Sequence, residues 1–161
     1  MASREILKAP HPTLRKISRP VDKITPRILE LLDDLIETMY ESEGAGLAAP
    51  QVGVLRRVVV IDVGDGLLEM INPVIRKCEG KLEEYEGCLS VPGQTYVVER
   101  PETVEVELTD RSGERRMLTA EGYLARAICH ELDHLDGRLF IDIVDYDNQP
   151  EEGDKETEEG S

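Results

Sequence analysis

His130 and His134 flank Glu131 in the run His130-Glu131-Leu132-Asp133-His134. On an α-helix, residues four apart differ by about 40° around the axis, so both imidazoles share a face and can hold one metal ion. Glu131 lies about 100° from His130, beside that face, where a carboxylate can reach a metal-bound water. Leu124, Ile128, Leu132 and Leu135 fall on the other part of the wheel, so the same helix can anchor in a core. Two surface histidines sharing a helix by chance is the weaker alternative, because the chain has only 3 His.

A hydrolytic metal site takes three protein ligands and keeps one position for water. One protease pattern places a histidine six residues after His134, but Phe140 stands there. Another draws a glutamate from a later helix, yet the chain after His134 is short and ends in an acidic run. His11 sits between two prolines, in an arm suited to capping or surface duty. Cys78 lies in a strand-like stretch and reads as a small buried hydrophobe. Cys129 precedes His130, points off the metal face and reads as core. Cys88 lies in Glu86-Gly87-Cys88-Leu89-Ser90, where the glycine permits an unusual turn. Spacing alone leaves Cys88 open between a third ligand and a buried structural thiol. A further segment, Gly44-Ala45-Gly46-Leu47-Ala48-Ala49-Pro50-Gln51, reads as an apolar Gly-rich loop that another backbone can approach closely. Gln51 can hydrogen-bond that loop or donate to an oxyanion, and composition favours the first.

The elements that must position these residues follow from periodicity. Residues 1–24 read as an irregular arm, broken by Pro10, Pro12 and Pro20 and pinned by Ile6, Leu7, Leu14, Ile17 and Val21. A helix follows, with Thr25 as N-cap, Pro26 at its first position and Gly44 past its end. Ile28, Leu31, Leu32, Leu35, Ile36 and Met39 form its apolar stripe. Residues 57–63 predict a strand buried on both faces, and 69–75 a short strand whose Pro73 marks an edge or a bulge. Residues 81–85 lead into a turn, and strands follow at 96–99, 103–109 and 115–118. The last two are joined by the turn Asp110-Arg111-Ser112-Gly113. The second helix runs from about 120 to 136, with Gly137 as its stop. Strands and helices do not alternate, which predicts an α+β fold with antiparallel sheet.

The chain has 161 residues, enough for one domain with a sizeable, mainly aliphatic core, given no Trp and 1 Phe. Its 34 acidic against 19 basic residues give a net charge of -15, which argues against non-specific binding to nucleic acid or an anionic membrane. No apolar run is long enough for a membrane span and no signal peptide is evident. An odd cysteine count fits a reduced, cytoplasmic setting. From Asp145 to Ser161 eight acidic residues face one Lys, so 145–161 reads as an acidic disordered tail beyond a catalytic domain at 1–144.

Taken in order and at these separations, G-A-G-L-A-A-P-Q (44–51), E-G-C-L-S (86–90) and H-E-L-D-H (130–134) resemble the three signature motifs of bacterial peptide deformylases. Pro10-His11-Pro12 with Leu14, the following helix and residues 135–140 extend the resemblance over roughly 4–144. It implies antiparallel sheets packed around a central helix that carries the HExxH motif. The implied reaction removes the formyl group from N-formylmethionine at the start of newly made proteins, releasing formate. Cys88, His130 and His134 would bind one divalent metal, Fe²⁺ in the cell and Ni²⁺, Co²⁺ or Zn²⁺ in purified protein. Glu131 would act as general base and then acid. The Gln51 side-chain amide and the Leu89 backbone N–H would hold the oxyanion. Substrate backbone would pair near Gly44 and Gly46, and the methionine side chain would enter an apolar pocket with Ala127 on its wall. Glu86 and Asp133 would orient the metal ligands. The resemblance also implies nascent N-formylmethionyl peptides as partners, a bacterial cytoplasmic setting and a monomer. Many relatives carry Gln where this chain has Cys129, off the metal face. Some end in a basic helix that docks on the ribosome, a contact the acidic end here disfavours. The alternatives are an HExxH metallopeptidase acting on short peptides, or a non-catalytic metal-stabilised module.

Overall fold

The structure, a computed structural model, describes residues 2–150. The first helix, α1 (Pro26–Glu41), begins as its sequence dictates: Pro26 occupies the first turn and the Thr25 hydroxyl accepts from the Ile28 N–H. Seven strands follow or flank it: β1 (Gly46–Ala48), β2 (Val58–Ile61), β3 (Leu68–Glu79), β4 (Leu82–Cys88), β5 (Val91–Arg100), β6 (Thr103–Thr109) and β7 (Arg115–Glu121). The second long helix, α2 (Gly122–Leu135), closes the sequence of major elements. Gly137, at φ 73°, sits past its end, where a Cβ would meet the Arg15 carbonyl oxygen at 2.5 Å.

Five strands form one antiparallel sheet in the order β1-β2-β3-β6-β7, and β4 pairs with β5 in a separate hairpin. The sheet is covered on both faces. Val59, Ile61, Met70, Val104, Val106 and Leu108 pack with Ala125, Ile128, Leu132 and Leu135 of α2. Val58, Val60 and Ile71 pack with Leu31, Leu32, Leu35 and Met39 of α1. Strand β2 is therefore buried on both sides, as its unbroken β-branched run requires. In β6 burial alternates residue by residue, as Val104-Glu105-Val106-Glu107-Leu108 predicts. A third cluster, with Leu14, Val91, Val98, Leu139 and Phe140 at its centre, fastens the hairpin to the arm and to the segment after α2.

Several expectations need correction. Strand β3 runs twelve residues rather than seven and lies in the middle of the sheet. Its Pro73 is tolerated by a bulge, where the register shifts between Ile71 and Val74. There Asn72, at φ 52°, turns its amide to Val21, accepting from the backbone N–H and donating to the carbonyl at 2.8 Å each. Cys78 is exposed near the end of β3 instead of buried. Ile17 is 71% exposed and pins nothing, whereas Leu14 and Val21 do hold the arm to the core. The Gly-rich segment is not a loop: residues 46–48 are the terminal strand of the sheet and Ala49–Val52 a 3-10 turn. The hairpin strands reach further than their local patterns predict, so Cys88 ends β4. Residues 145–149, placed in the tail by composition, pack on the hairpin. The Gln149 amide accepts from the Val97 N–H at 2.8 Å and donates to the Val97 carbonyl at 3.0 Å. The rest of the predicted tail, 151–161, lies outside the described residues.

Candidate metal-dependent active site

Helix α2 presents His130, Glu131 and His134, all buried, toward the end of β4. The hairpin β4–β5 turns at 89–90, which brings Cys88 to the same point, its Sγ 3.3 Å from His134 Nε2. Donor atoms of Cys88, His130 and His134 all lie within 4.8 Å of one another. The 3.3 Å between Cys88 Sγ and His134 Nε2 is near the separation of two ligands held about 2.0–2.3 Å from one tetrahedral ion. The expected trio is thus brought together, in a group able to hold a metal ion.

The donors are also oriented for an ion. His130 Nδ1 lies 2.9 Å from Glu86 Oε1, which leaves Nε2 to face the centre. Burial disfavours a charged His130, but its hydrogen bonds to Cys88 and Glu86 outweigh that and raise its pKa. An ion held between the donors would replace that proton. Burial, and then the charges of His130 and Arg100, push His134 well below the usual imidazole range, so it stays in the neutral, ligating form. Glu86 is itself clamped. Burial opposes its charge, but His130 and Arg100 hold it below the usual carboxylate range. Arg100 donates to both Glu86 oxygens at 3.2 Å and to Asp133 Oδ2 at 2.7 Å. Asp133 therefore acts on Arg100 rather than on a histidine. Cys129 is buried and its thiol is pushed up to about 11 by burial, consistent with packing alone.

Glu131 is buried, and its Oε1 has no hydrogen-bond partner. Burial first, partly offset by His130, pushes its carboxyl up to about 7. A carboxyl with that affinity exchanges protons readily near neutral pH. Gly46 explains how it is reached: a Cβ there would lie 2.6 Å from Glu131 Oε2. Only a glycine lets β1 pass so close to α2. Gln51 hydrogen-bonds its own segment, the first of the two roles weighed for it. Its Oε1 accepts from the Ala48 N–H at 3.0 Å, which fixes the amide. Its Nε2 then donates to Ser90 Oγ at 3.1 Å and lies 3.8 Å from Cys88 Sγ, pointing at the centre.

Gly46, Gln51, Glu86, Cys88, His130 and Glu131 line a cleft of about 370 Å³. Gly44, Gly46, Gln51, Leu89 and Ala127 all border it, as expected. Sequence reasoning missed Arg100, Ser90, Tyr123 and Arg126. Arg126 carried a usable signal, four residues before His130 on the same helix face. Arg100 carried none, since the strand register sets it opposite Leu82 and only the tertiary fold brings its side chain to Glu86. Among the described residues no helix is long and apolar enough to cross a membrane.

The family profile described as polypeptide deformylase matches residues 3–149. The peptide deformylase of Caldicellulosiruptor bescii is 55% identical over 144 residues, covering 89% of this chain and 87% of that protein. That of Alkaliphilus metalliredigens is 56% identical, covering 89% and 98%. Among solved structures, peptide deformylase from Thermotoga maritima superposes with a TM-score of 0.87 at 39% identity, covering 89% of this chain and 99% of that one. The Synechococcus elongatus enzyme in complex with actinonin gives 0.86 at 40%, covering 88% and 79%. The Cys-His-His donor set, the glutamate beside it and the glycine strand that skirts it are thus features of a chain that belongs to the polypeptide deformylase family.

Proposed function

We propose that this enzyme hydrolyses the formyl amide at the start of N-formylmethionyl polypeptides, releasing formate and a free amino terminus, with Glu131 as its proton carrier. The observation that carries the assignment of Glu131 is its buried carboxyl, whose Oε1 has no hydrogen-bond partner, beside three converging donors. Cys88, His130 and His134 hold the divalent ion, whose chemistry when bound is Lewis acidity and a water made nucleophilic near neutral pH. A thiolate beside two imidazoles suits an intermediate transition metal, ferrous iron in the cell with nickel, cobalt or zinc as substitutes.

The substrate backbone adds to the outer edge of β1, the terminal strand of the sheet, near Gly44 and Gly46. This places the formyl carbon beside Glu131. As water attacks that carbon, Glu131 accepts its proton. The oxygen of the former carbonyl gains negative charge and is held by the Gln51 Nε2–H and the Leu89 backbone N–H. Because Oε1 of Gln51 is fixed by Ala48, the amide cannot flip its acceptor toward that charge. Glu131 then returns the proton to the amide nitrogen as the carbon–nitrogen bond breaks. Glu86 keeps His130 in one tautomer throughout.

The direct test is formate release from N-formyl-Met-Ala-Ser by protein loaded anaerobically with Fe²⁺ or Ni²⁺. Release by the wild type and its loss in fully metallated Glu131→Ala is the expected result. A folded, metallated wild type that releases no formate overturns the reading.

A further inference from the structure

Arg126 precedes His130 by four residues, which puts it one helical turn, about 6 Å, along the same face of α2. It is buried, 2% exposed, and borders the cleft that also contains Gly46, Cys88 and Glu131. Nη2 donates to the Leu82 carbonyl at 2.7 Å. Nη1 stays 3.7 Å from Glu86 Oε2, because that carboxylate is already engaged by Arg100 and His130. Neither Nε nor Nη1 has a hydrogen-bond partner. Folded proteins rarely leave buried donors idle, and where they do a missing ligand is a standard reason.

The position says which part of a ligand could serve. Ala127 and Arg126 line the cleft beside Glu131, so on the deformylase reading a first side chain that follows α2 from the formyl group passes Ala127 before Arg126. A methionine thioether is a weak acceptor and leaves these donors idle. A sulfoxide oxygen is a strong one. Glu84 and Glu86 border the same cleft, which disfavours an anionic side chain and leaves a neutral acceptor as the best match. Methionine oxidises readily to the sulfoxide, so such chain ends arise without further machinery.

We propose that Arg126 is a specificity-determining residue that lets this enzyme deformylate peptides whose first side chain ends in a neutral hydrogen-bond acceptor, N-formylmethionine sulfoxide above all. This rests on the deformylase reading. The Nε–H and Nη1–H of Arg126 donate to the sulfoxide oxygen, while the formyl amide is hydrolysed as before.

The test compares N-formyl-Met-Ala-Ser with its norleucine and methionine sulfoxide analogues, using metal-loaded wild type, Arg126→Met and Arg126→Lys. Norleucine has the length of methionine and no acceptor, so each protein's sulfoxide-to-norleucine ratio of kcat/KM isolates the hydrogen bond. The wild type is expected to cleave the sulfoxide peptide at least as fast as the norleucine peptide. In Arg126→Met the ratio should fall about tenfold or more, the usual effect of losing a hydrogen bond from a charged donor. Arg126→Lys, which keeps a donor, should lie above Arg126→Met. A wild-type ratio below unity overturns the proposal without any variant, and so does a ratio that Arg126→Met leaves unchanged. Formate from the norleucine peptide but not the sulfoxide peptide defeats this inference alone. Formate from none of the three defeats the deformylase reading beneath it.

Discussion

Helices α1 and α2 are similar in length and cover opposite faces of one sheet, but they treat polar side chains in opposite ways. On α1, Asp33, Glu37 and Glu41 stay at least partly in solvent. Its buried acid, Asp34, is fully served, with Arg4 Nε and the Ala2 N–H each donating at 2.8 Å. Burial opposes ionisation of Asp34, but these bonds hold its pKa below the usual value. On α2, ten of fourteen residues are buried, and Arg126, Glu131 and His134 each carry a buried polar atom with no partner. Unpaired buried polar atoms cost about 1–3 kcal/mol each, so a helix built only for packing would have shed them. Polar groups on α1 are paired or solvated, while on α2 Arg126 and Glu131 keep unpaired atoms on residues that border the cleft.

That contrast can be broken by substitution. The largest effect should come from Cys88→Ala, which removes one of the three donors and is expected to strip the ion under dialysis. Metal content by mass spectrometry checks it, and retention of a full equivalent would point to a different donor set. Next, Glu131→Ala should keep the ion but lower formate release by about 10²–10⁴, the usual worth of a general acid–base group. Its thermal midpoint should not fall, because an unpaired buried carboxyl is removed. On the other helix, Leu32→Ala should cost about 2–5 kcal/mol of stability while leaving the activity of the folded fraction intact. Denaturant titration paired with an active-site count separates the two. A smaller effect is expected for Glu86→Gln, which should weaken metal binding about 10–100-fold in a chelator competition. Thr25→Ala closes the series, costing about 1 kcal/mol through the lost N-cap of α1 and nothing in kcat.

Legibility followed the same division. The first helix could be read to its cap because Thr25, Pro26 and the apolar stripe are all local signals. Strand β2, strand β6 and the HExxH helix were legible for the same reason: each carries one unbroken period. Strand β3 was misjudged because a bulge at Asn72 and Pro73 interrupts its pattern, and Cys78 was misplaced with it. Gly46 looked like part of a loop because nothing local shows that residues 46–48 pair with Val59, Val60 and Ile61.

By itself the sequence determined where the two helices lie, which residues could ligate and, through three ordered motifs, the family they resemble. Local periodicity and fixed spacing suffice for that, since they survive in any conformation of the surrounding chain. Only the tertiary structure decided that Cys88 meets His134 across 46 residues. It alone set Arg100 between Glu86 and Asp133, pressed Gly46 against Glu131, and left Arg126 with idle donors in the cleft. Those outcomes depend on how the hairpin and the sheet close over α2, and closure is a property of packing between segments distant in the chain.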